Sequence, residues 1–254
     1  MEYRYLQIED AGPAEIITLH RPDRRNALSA ALLLELETAL ARTRARAVII
    51  ASNGPVFSAG HDLDELNGTS QSECSALFEL CSRVMLGLQK LPVPVIAEVQ
   101  GLATAAGLQL VATCDLAVAS EQALFATPGV RIGLFCTTPM VPLVRAIGRK
   151  RAFEMLITGD PIDARTALEW GLLNRVVAPG ELRSASLALA GRIGEASAAT
   201  VSTGKQAFYR TIAVPDEQAY DCATDTMTEN ASAPDAREGI SAFLAKRKPV
   251  WSGT

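Results

Sequence analysis

Two glycine-containing turns, each following an apolar strand, hold the residues best placed for chemistry. The first is FSAGHDLDEL, from Phe57 to Leu66, and the second runs from Gly101 to Gly107 and is rich in small residues. A helix is predicted from near Ala105, and the first N–H groups of a helix have no intrahelical partner. Two such turns would hold one carbonyl oxygen between two N–H donors, as an oxyanion hole. The alternative is two strand–helix turns packed for stability alone.

Several other kinds of catalytic site are absent from the sequence. No G-x-G-x-x-G or Walker A loop is present, so dinucleotides and nucleoside triphosphates are not indicated as ligands. The chain has no H-E-x-x-H motif and no G-x-S-x-G elbow, which argues against a zincin and against a serine hydrolase of that type. Its two histidines are His20 and His61. No metal site is predicted.

The composition indicates a globular protein of the cytoplasm. The 254 residues are 48% hydrophobic and 20% charged, with a net charge of −4, and no basic cluster suggests a nucleic-acid partner. Five cysteines occur without C-x-x-C spacing, which disfavours zinc fingers and a disulfide framework. The N-terminus MEYRYLQIED lacks the pattern of a signal or transit peptide, and no apolar run is long enough to span a membrane.

Apolar runs and helical periodicity predict an α/β fold. Strand-like runs such as AEIITLH, AVIIAS, VPVIAEV and DLAVAS alternate with helical segments, one of which has Ser29 as its N-cap. From about Pro139 onward the chain is predicted to be mostly helical. We expect a core over residues 1–190 and a helical region over residues 191–254. No internal sequence repeat is evident.

Six motifs resemble those of the crotonase superfamily, also called the enoyl-CoA hydratase/isomerase family. They are RPDRRNAL (Arg21 to Leu28), FSAGHDL, VIAEVQGLATAAG, CDLAVAS, ITGDPIDARTALEWGLLNRVV and EGISAFLAKRKPVW. Together they cover the chain essentially from end to end. Within the superfamily, GLATAAG, FATPGV, GLFC and KRKPVW are most similar to the group of enoyl-CoA hydratase domain-containing protein 3.

The resemblance implies a fold, an assembly and a ligand. The fold would be a spiral of ββα repeats with a helical C-terminal trimerisation region, assembled as a homotrimer or a dimer of trimers. The ligand would be an acyl-CoA thioester, with coenzyme A as part of the substrate and no further cofactor. The oxyanion donors would be the backbone N–H groups of His61 and Ala106.

The resemblance also implies positions that bind coenzyme A. Arg24 and Arg25 would contact phosphates, and Phe243 and Lys246 would complete the site of a neighbouring subunit; solvated surface charges are the alternative for such cations. The full set of implied positions is Arg24, Arg25, Ala27, Leu28, Ala59, Gly60, His61, Asp62, Leu63, Phe243 and Lys246.

The chain departs from the family at both acid/base positions. Hydratases of the family use two glutamates, which align here with Gln109 and Gly129. A glutamine side chain does not exchange protons near neutral pH, and glycine has no side chain. Gln109 would hold a water or a ligand carbonyl, or it would form a polar wall.

Other side chains are candidates to replace the missing glutamates. Asp62 follows the first donor, although DLDE also fits a capping box with Glu65. Cys136 would be a nucleophile or a packing residue, and Thr137 aligns where some relatives carry an aspartate. Glu98 would be a pocket acid or an ion-paired core residue. The His61 side chain would face solvent or a coenzyme A phosphate.

Three functional hypotheses follow. The first is an acyl-CoA enzyme of the enoyl-CoA hydratase/isomerase family in fatty-acid or acyl-CoA metabolism, which stabilises a thioester enolate. The second is decarboxylation or hydrolysis of a thioester in the same site, since decarboxylation of a malonyl-type thioester needs no base to start. The third is a non-catalytic acyl-CoA binder. The replacements at Gln109 and Gly129 favour the second and third over ordinary hydration.

Overall fold

The structure is a computed structural model that describes residues 3–253. Its strands are β1 (Leu6–Ala11), β2 (Ala14–Leu19), β3 (Ala47–Ser52), β4 (Val56–Ser58), β5 (Val95–Val99), β6 (Leu102–Thr104), β7 (Leu116–Ser120), β8 (Leu124–Ala126), β9 (Ile162–Asp163) and β10 (Arg175–Val177). Its helices are α1 (Ala30–Arg42), α2 (Gln71–Lys90), α3 (Ala106–Thr113), α4 (Thr137–Ile147), α5 (Arg149–Thr158), α6 (Ala164–Trp170), α7 (Leu182–Gly194), α8 (Ala198–Thr211), α9 (Asp216–Ser232) and α10 (Pro234–Leu244).

The strands form two sheets. The larger sheet has the order β1-β2-β3-β5-β7-β10 and is parallel except between β1 and β2. The smaller sheet has the order β4-β6-β8-β9 and is parallel except between β8 and β9. Each of the pairs β3–β4, β5–β6 and β7–β8 therefore contributes one strand to each sheet.

This arrangement is a ββα unit wound three times, which confirms the predicted α/β spiral. The units are β3-β4-α2, β5-β6-α3 and β7-β8-α4. Sequence reasoning found the strands of the larger sheet but read β4 and β6 as parts of turns. Those strands are only three residues long, too short for a hydrophobic period to be visible.

Helix starts follow their capping residues. Ser29 caps α1 by accepting the N–H of Leu32, as predicted. The second helix begins just after Ser70, which forms a capping box with Glu73. The predicted helix start near Ala105 is also confirmed, since α3 begins at Ala106.

The larger sheet is covered on both faces. One face packs against α1, α2 and α3 in the main core, and the other packs against α7. Strand β3 is buried along almost its whole length, as expected for a parallel strand covered on both faces. Helix α7 runs across residue 190, where the boundary of the core was predicted.

The C-terminal helices α8, α9 and α10 expose large apolar side chains. These are Phe208, Tyr220, Met227, Ile240, Phe243 and Leu244. The side chain of Lys205 anchors α8 to the core, because its Nζ lies 2.6 Å from Asp115 Oδ2 and also donates to two backbone carbonyls. No helix within residues 3–253 is long and apolar enough to cross a bilayer.

Candidate functional site

The two turns singled out in the sequence lie against each other. Gly60 has φ +91°, and a Cβ added there would lie 3.1 Å from Thr104 O and 3.2 Å from Ala106 N. The Thr104 hydroxyl also donates to the Ala59 carbonyl at 3.0 Å. Only glycine allows both the left-handed backbone and this close approach.

His61 and Ala106 line one cavity of about 90 Å³. Neither backbone N–H has an acceptor within the described residues. Ala105, directly before Ala106, has φ +48° and ψ −119°, a conformation that a residue with a Cβ rarely adopts and that is typical of functional sites. The other lining residues are Phe78, Ala105, Leu134, Phe135, Cys136, Thr137, Thr138 and Pro139.

The His61 imidazole is held in a defined orientation. Its Nδ1 lies 3.2 Å from the Leu28 carbonyl oxygen, and its ring stacks edge-on against Phe78 with centroids 5.3 Å apart. Its Nε2 is buried and has no hydrogen-bond partner in the part of the chain described. Burial lowers the pKa of His61 below its ordinary value, and the bond to Leu28 opposes this shift only partly.

The RPDRRNAL motif is joined directly to the first turn. Leu28 N–H donates to Gly60 O at 2.7 Å, and Ala59 N–H donates to Arg25 O at 3.0 Å. Sequence reasoning did not single out Asn26, whose buried amide donates to Asn53 O and Val56 O at 2.8 Å each. The sequence signal that could have identified Asn26 is its position in the RPDRRNAL motif. The structure thus brings Ala27, Leu28, Ala59 and Gly60 together.

Asp62 is an ion-paired residue. Its Oδ2 lies 2.8 Å from Arg21 Nη1, and Arg24 contacts both Asp62, at 3.3 Å, and Asp64. Burial tends to raise the pKa of Asp62, but the hydrogen bonds and charges of these arginines and of the Asp64 N–H lower it overall.

The predicted capping box is wrong in its second half. Asp62 does cap a turn, the 3₁₀ turn Leu63–Glu65, by accepting the Asp64 N–H. The Glu65 carboxylate instead accepts the N–H of Ala30 at 2.8 Å. The reason is that the start of α1 lies beside this turn and supplies an unpaired N–H group.

Gln109 belongs to a second cavity, of about 190 Å³, which shares Thr138 with the first. Its side chain is buried, and its Oε1 has no partner within residues 3–253. No aspartate or glutamate lines either cavity. The second cavity also contains Met85, Gln89 and Arg145.

Gly129 is the buried residue of the 3₁₀ turn Pro128–Ile132, and the space around it does not accommodate a side chain. A Cβ there would lie 2.1 Å from Leu134 O and 2.8 Å from Cys136 Sγ. The φ of Gly129 is not positive, so the obstacle to a side chain is the fold of residues 129–136 and not a left-handed backbone.

The remaining candidates divide between the cavity and the rest of the core. Cys136 and Thr137 line the cavity, and burial raises the pKa of the Cys136 thiol, with a Gly129 N–H bond opposing it. Such a thiol is neutral and a weak nucleophile. Glu98 is an ion-paired core residue, 2.9 Å from Arg183 Nε, and lines neither cavity.

The outer positions assigned to coenzyme A are exposed. Arg25 and Leu63 lie at the surface beside the site, while Phe243 and Lys246 lie at the end of α10 and line neither cavity. No cluster of three or more metal-ligating side chains occurs in the described part of the chain.

Three turns of ββα structure, with the two glycine-containing turns meeting at one cavity, define a crotonase-fold protein. A profile of the enoyl-CoA hydratase/isomerase family matches residues 12–254, and the chain belongs to this family. Mitochondrial enoyl-CoA hydratase domain-containing protein 3 of Homo sapiens is 48% identical over 241 residues, or 93% of this chain and 80% of that protein.

Solved structures agree with this assignment. The crystal structure of the human protein matches with a TM-score of 0.94 at 45% identity, covering 98% of this chain and 100% of that chain. An enoyl-CoA hydratase from Mycobacterium smegmatis matches with a TM-score of 0.95 at 47% identity, covering 97% of this chain and 98% of that chain.

Proposed function

We propose that this protein is an acyl-CoA thioester enzyme of fatty-acid or acyl-CoA metabolism that stabilises an enolate. The thioester oxygen would accept hydrogen bonds from the N–H groups of His61 and Ala106. The observation that carries this proposal is the contact between the two turns at Gly60, which leaves both N–H groups unpaired at one cavity. Preorganised N–H donors are effective because they need no rearrangement when charge develops on the oxygen.

The proposed binding mode places coenzyme A along the RPDRRNAL and FSAGHDL segments, with Arg25 at a phosphate. Phe243 and Lys246 would serve a neighbouring subunit, since they are exposed and line neither of the two cavities described above. A homotrimer or a dimer of trimers is part of this proposal, as is a cytoplasmic location. No cofactor other than the substrate's own coenzyme A is required.

Ordinary hydration is not the favoured reaction. Water addition to an enoyl thioester uses two positioned acid/base groups, and neither cavity holds a carboxylate. The same observation favours a second candidate, decarboxylation of a malonyl-type thioester, because loss of carbon dioxide generates the enolate without a base. Thioester hydrolysis is a weaker alternative, since the Cys136 thiol is neutral and therefore a poor nucleophile. Non-catalytic binding is also weaker, since it would not need two preorganised N–H donors.

The test uses 2,4-hexadienoyl-CoA, a thioester whose absorbance moves to longer wavelength when its carbonyl is polarised. We expect a red shift with the wild type and its loss in Gly60→Ala, because a Cβ there lies 2.9 Å from Ala105 Cβ and pushes the two donors apart. Gly68→Ala is the matched control, since Gly68 also has positive φ but nothing within 4 Å.

Two results would contradict the proposal. One is the absence of any red shift with the wild type at saturating ligand. The other is a Gly60→Ala protein that polarises the ligand as well as Gly68→Ala does. Malonyl-CoA decarboxylation, followed as carbon dioxide release, separates the second candidate from the first.

A further inference from the structure

The His61 side chain is partly buried and carries a fully buried Nε2, for which neither the fold nor the proposed oxyanion site accounts. The Leu28 carbonyl oxygen only accepts hydrogen bonds, so the Nδ1 atom, 3.2 Å away, carries the proton. In the neutral ring Nε2 then holds the lone pair. That nitrogen is buried and unpaired within residues 3–253, and a buried acceptor without a partner points to a missing ligand.

No other side chain around this cavity accepts a proton near neutral pH. Its remaining titratable group is Cys136, which stays a neutral thiol. Thr137 and Thr138 are hydroxyls without an adjacent base. The nearest carboxylate along the chain, Asp62, is occupied by Arg21 and Arg24.

We propose that His61 is a catalytic residue that transfers the α-proton of an acyl-CoA thioester. This inference rests on the proposed function, since the same residue supplies one of the two oxyanion N–H groups. The α C–H bond breaks, its proton moves to Nε2, and its electron pair forms the enolate whose oxygen the two N–H groups hold. The ring becomes an imidazolium that still donates from Nδ1 to Leu28. Return of the proton restores the neutral ring.

The substrate class follows from this step. The ligand needs at least one hydrogen on the carbon next to the thioester carbonyl. One proton-transfer group is sufficient for exchange of that hydrogen and for migration of a neighbouring double bond. Neither process needs the two carboxylates that positions 109 and 129 lack.

The experiment follows exchange of the α-hydrogens of butyryl-CoA with D₂O by mass spectrometry. Wild type is compared with His61→Gln, which keeps the backbone N–H but removes the base. We expect exchange to fall by about 10²–10⁴-fold, the usual contribution of one acid/base group. His20→Gln is the matched control, because His20 is exposed and lines neither cavity, and it should exchange at the wild-type rate.

Polarisation of 2,4-hexadienoyl-CoA distinguishes loss of the base from loss of the whole site. We expect His61→Gln to keep the red shift, which shows a folded protein with both N–H donors in place. In the His20→Gln protein His61 is the single histidine, so its ring signals are identified in an NMR spectrum. They should shift when 2,4-hexadienoyl-CoA binds.

Three results overturn the inference. The first is exchange by His61→Gln within threefold of the wild-type rate. The second is a wild type that polarises the thioester but exchanges no α-hydrogen. That result refutes the role of His61 as a base and leaves the proposed function intact. The third is an unchanged His61 ring signal on binding. A wild type that neither polarises nor exchanges refutes the proposed function itself.

Discussion

The Cys136 sulfur occupies the space into which a side chain at position 129 would extend. A Cβ on Gly129 would lie 2.8 Å from Cys136 Sγ and closer still to the Leu134 carbonyl. The resemblance aligns position 129 with the second glutamate of the family's hydratases. The fold of residues 129–136 fills the space that a side chain at this position would need.

The first prediction concerns Gly129→Ala, which should destabilise the protein by about 1–3 kcal/mol, the usual range for overpacking a tight core. Backbone Leu134 O, 2.1 Å from the added atom, cannot move as a flexible side chain would. Gly180→Ala is the matched control, because Gly180 also follows a proline in a 3₁₀ turn and has nothing within 4 Å. Urea unfolding measures the free energy of unfolding of both variants. Equal midpoints for the two variants would show that the turn adapts.

The second prediction is that wild-type hydration of crotonyl-CoA has a kcat below the ordinary range of about 10–10³ s⁻¹. Gln109→Glu alone should raise it, by at most about 10²–10⁴-fold for one acid/base group. Adding Gly129→Glu should give no further gain, because the clash prevents a properly folded site. Gln89→Glu is the control, since it places a carboxylate elsewhere in the same cavity. An ordinary wild-type kcat would contradict this prediction.

The parts of the fold that depend on local patterns were predictable from the sequence. The helix after Ser29 and the strand AVIIAS follow from a capping residue and a continuous apolar run. The strands β4 and β6 were not predictable from local patterns, because they form by pairing with strands from other parts of the chain: β4 pairs with β6, and β6 also pairs with β8.

That His61 and Ala106 line one cavity was predictable from the sequence, because each lies in a glycine-containing turn of a recognisable motif. The side-chain contacts around them were not predictable. The orientation of the His61 imidazole depends on the carbonyl of Leu28, 33 residues away in the sequence. The approach of Cys136 to Gly129 depends on the path of the backbone between residues 129 and 136. Contacts between segments distant in sequence leave no local pattern.

The third prediction is that Arg25→Ala weakens coenzyme A binding more than Arg24→Ala does. Arg24 is engaged by Asp62 and Asp64, whereas Arg25 is exposed and has no ion pair within the described residues. Loss of one charge-assisted bond should weaken binding about tenfold, equivalent to about 1.4 kcal/mol. Calorimetry at low and high salt measures this, with the exposed Arg165→Ala as control. Unchanged binding in both variants would remove these arginines from the phosphate site.

The fourth prediction is a solution mass of three or six times 27.0 kDa by light scattering. The exposed apolar side chains on α8, α9 and α10 would be covered in such an assembly. Replacing Tyr220 and Met227 with glutamate, one heptad apart on α9, should dissociate it. Leu34→Glu, an exposed apolar position on α1, should not. A stable wild-type monomer would contradict the proposed assembly.

The fifth prediction concerns the pH dependence of stability through Asp62. Its pKa is lowered in the folded protein, so its contribution is fully present above the unfolded pKa of about 3.9 and is lost as the pH falls through the folded value. Asp62→Asn should therefore destabilise the protein at pH 7 by about 1.5–3 kcal/mol, the cost of losing hydrogen bonds to charged partners.

The difference between wild type and Asp62→Asn should begin to shrink below about pH 4, because the carboxyl of the unfolded wild type then takes up a proton, and it should close as the pH falls through the lowered pKa of the folded protein. Asp64→Asn is the matched control, since within residues 3–253 its exposed carboxylate forms an ion pair with Arg24 alone, and the stability of this variant should stay close to that of the wild type at every pH. Denaturant unfolding at pH 7, 5 and 3 measures all three proteins. A gap between wild type and Asp62→Asn that stays constant over this range would show that the Arg21–Asp62 charge pair does not stabilise the turn carrying His61.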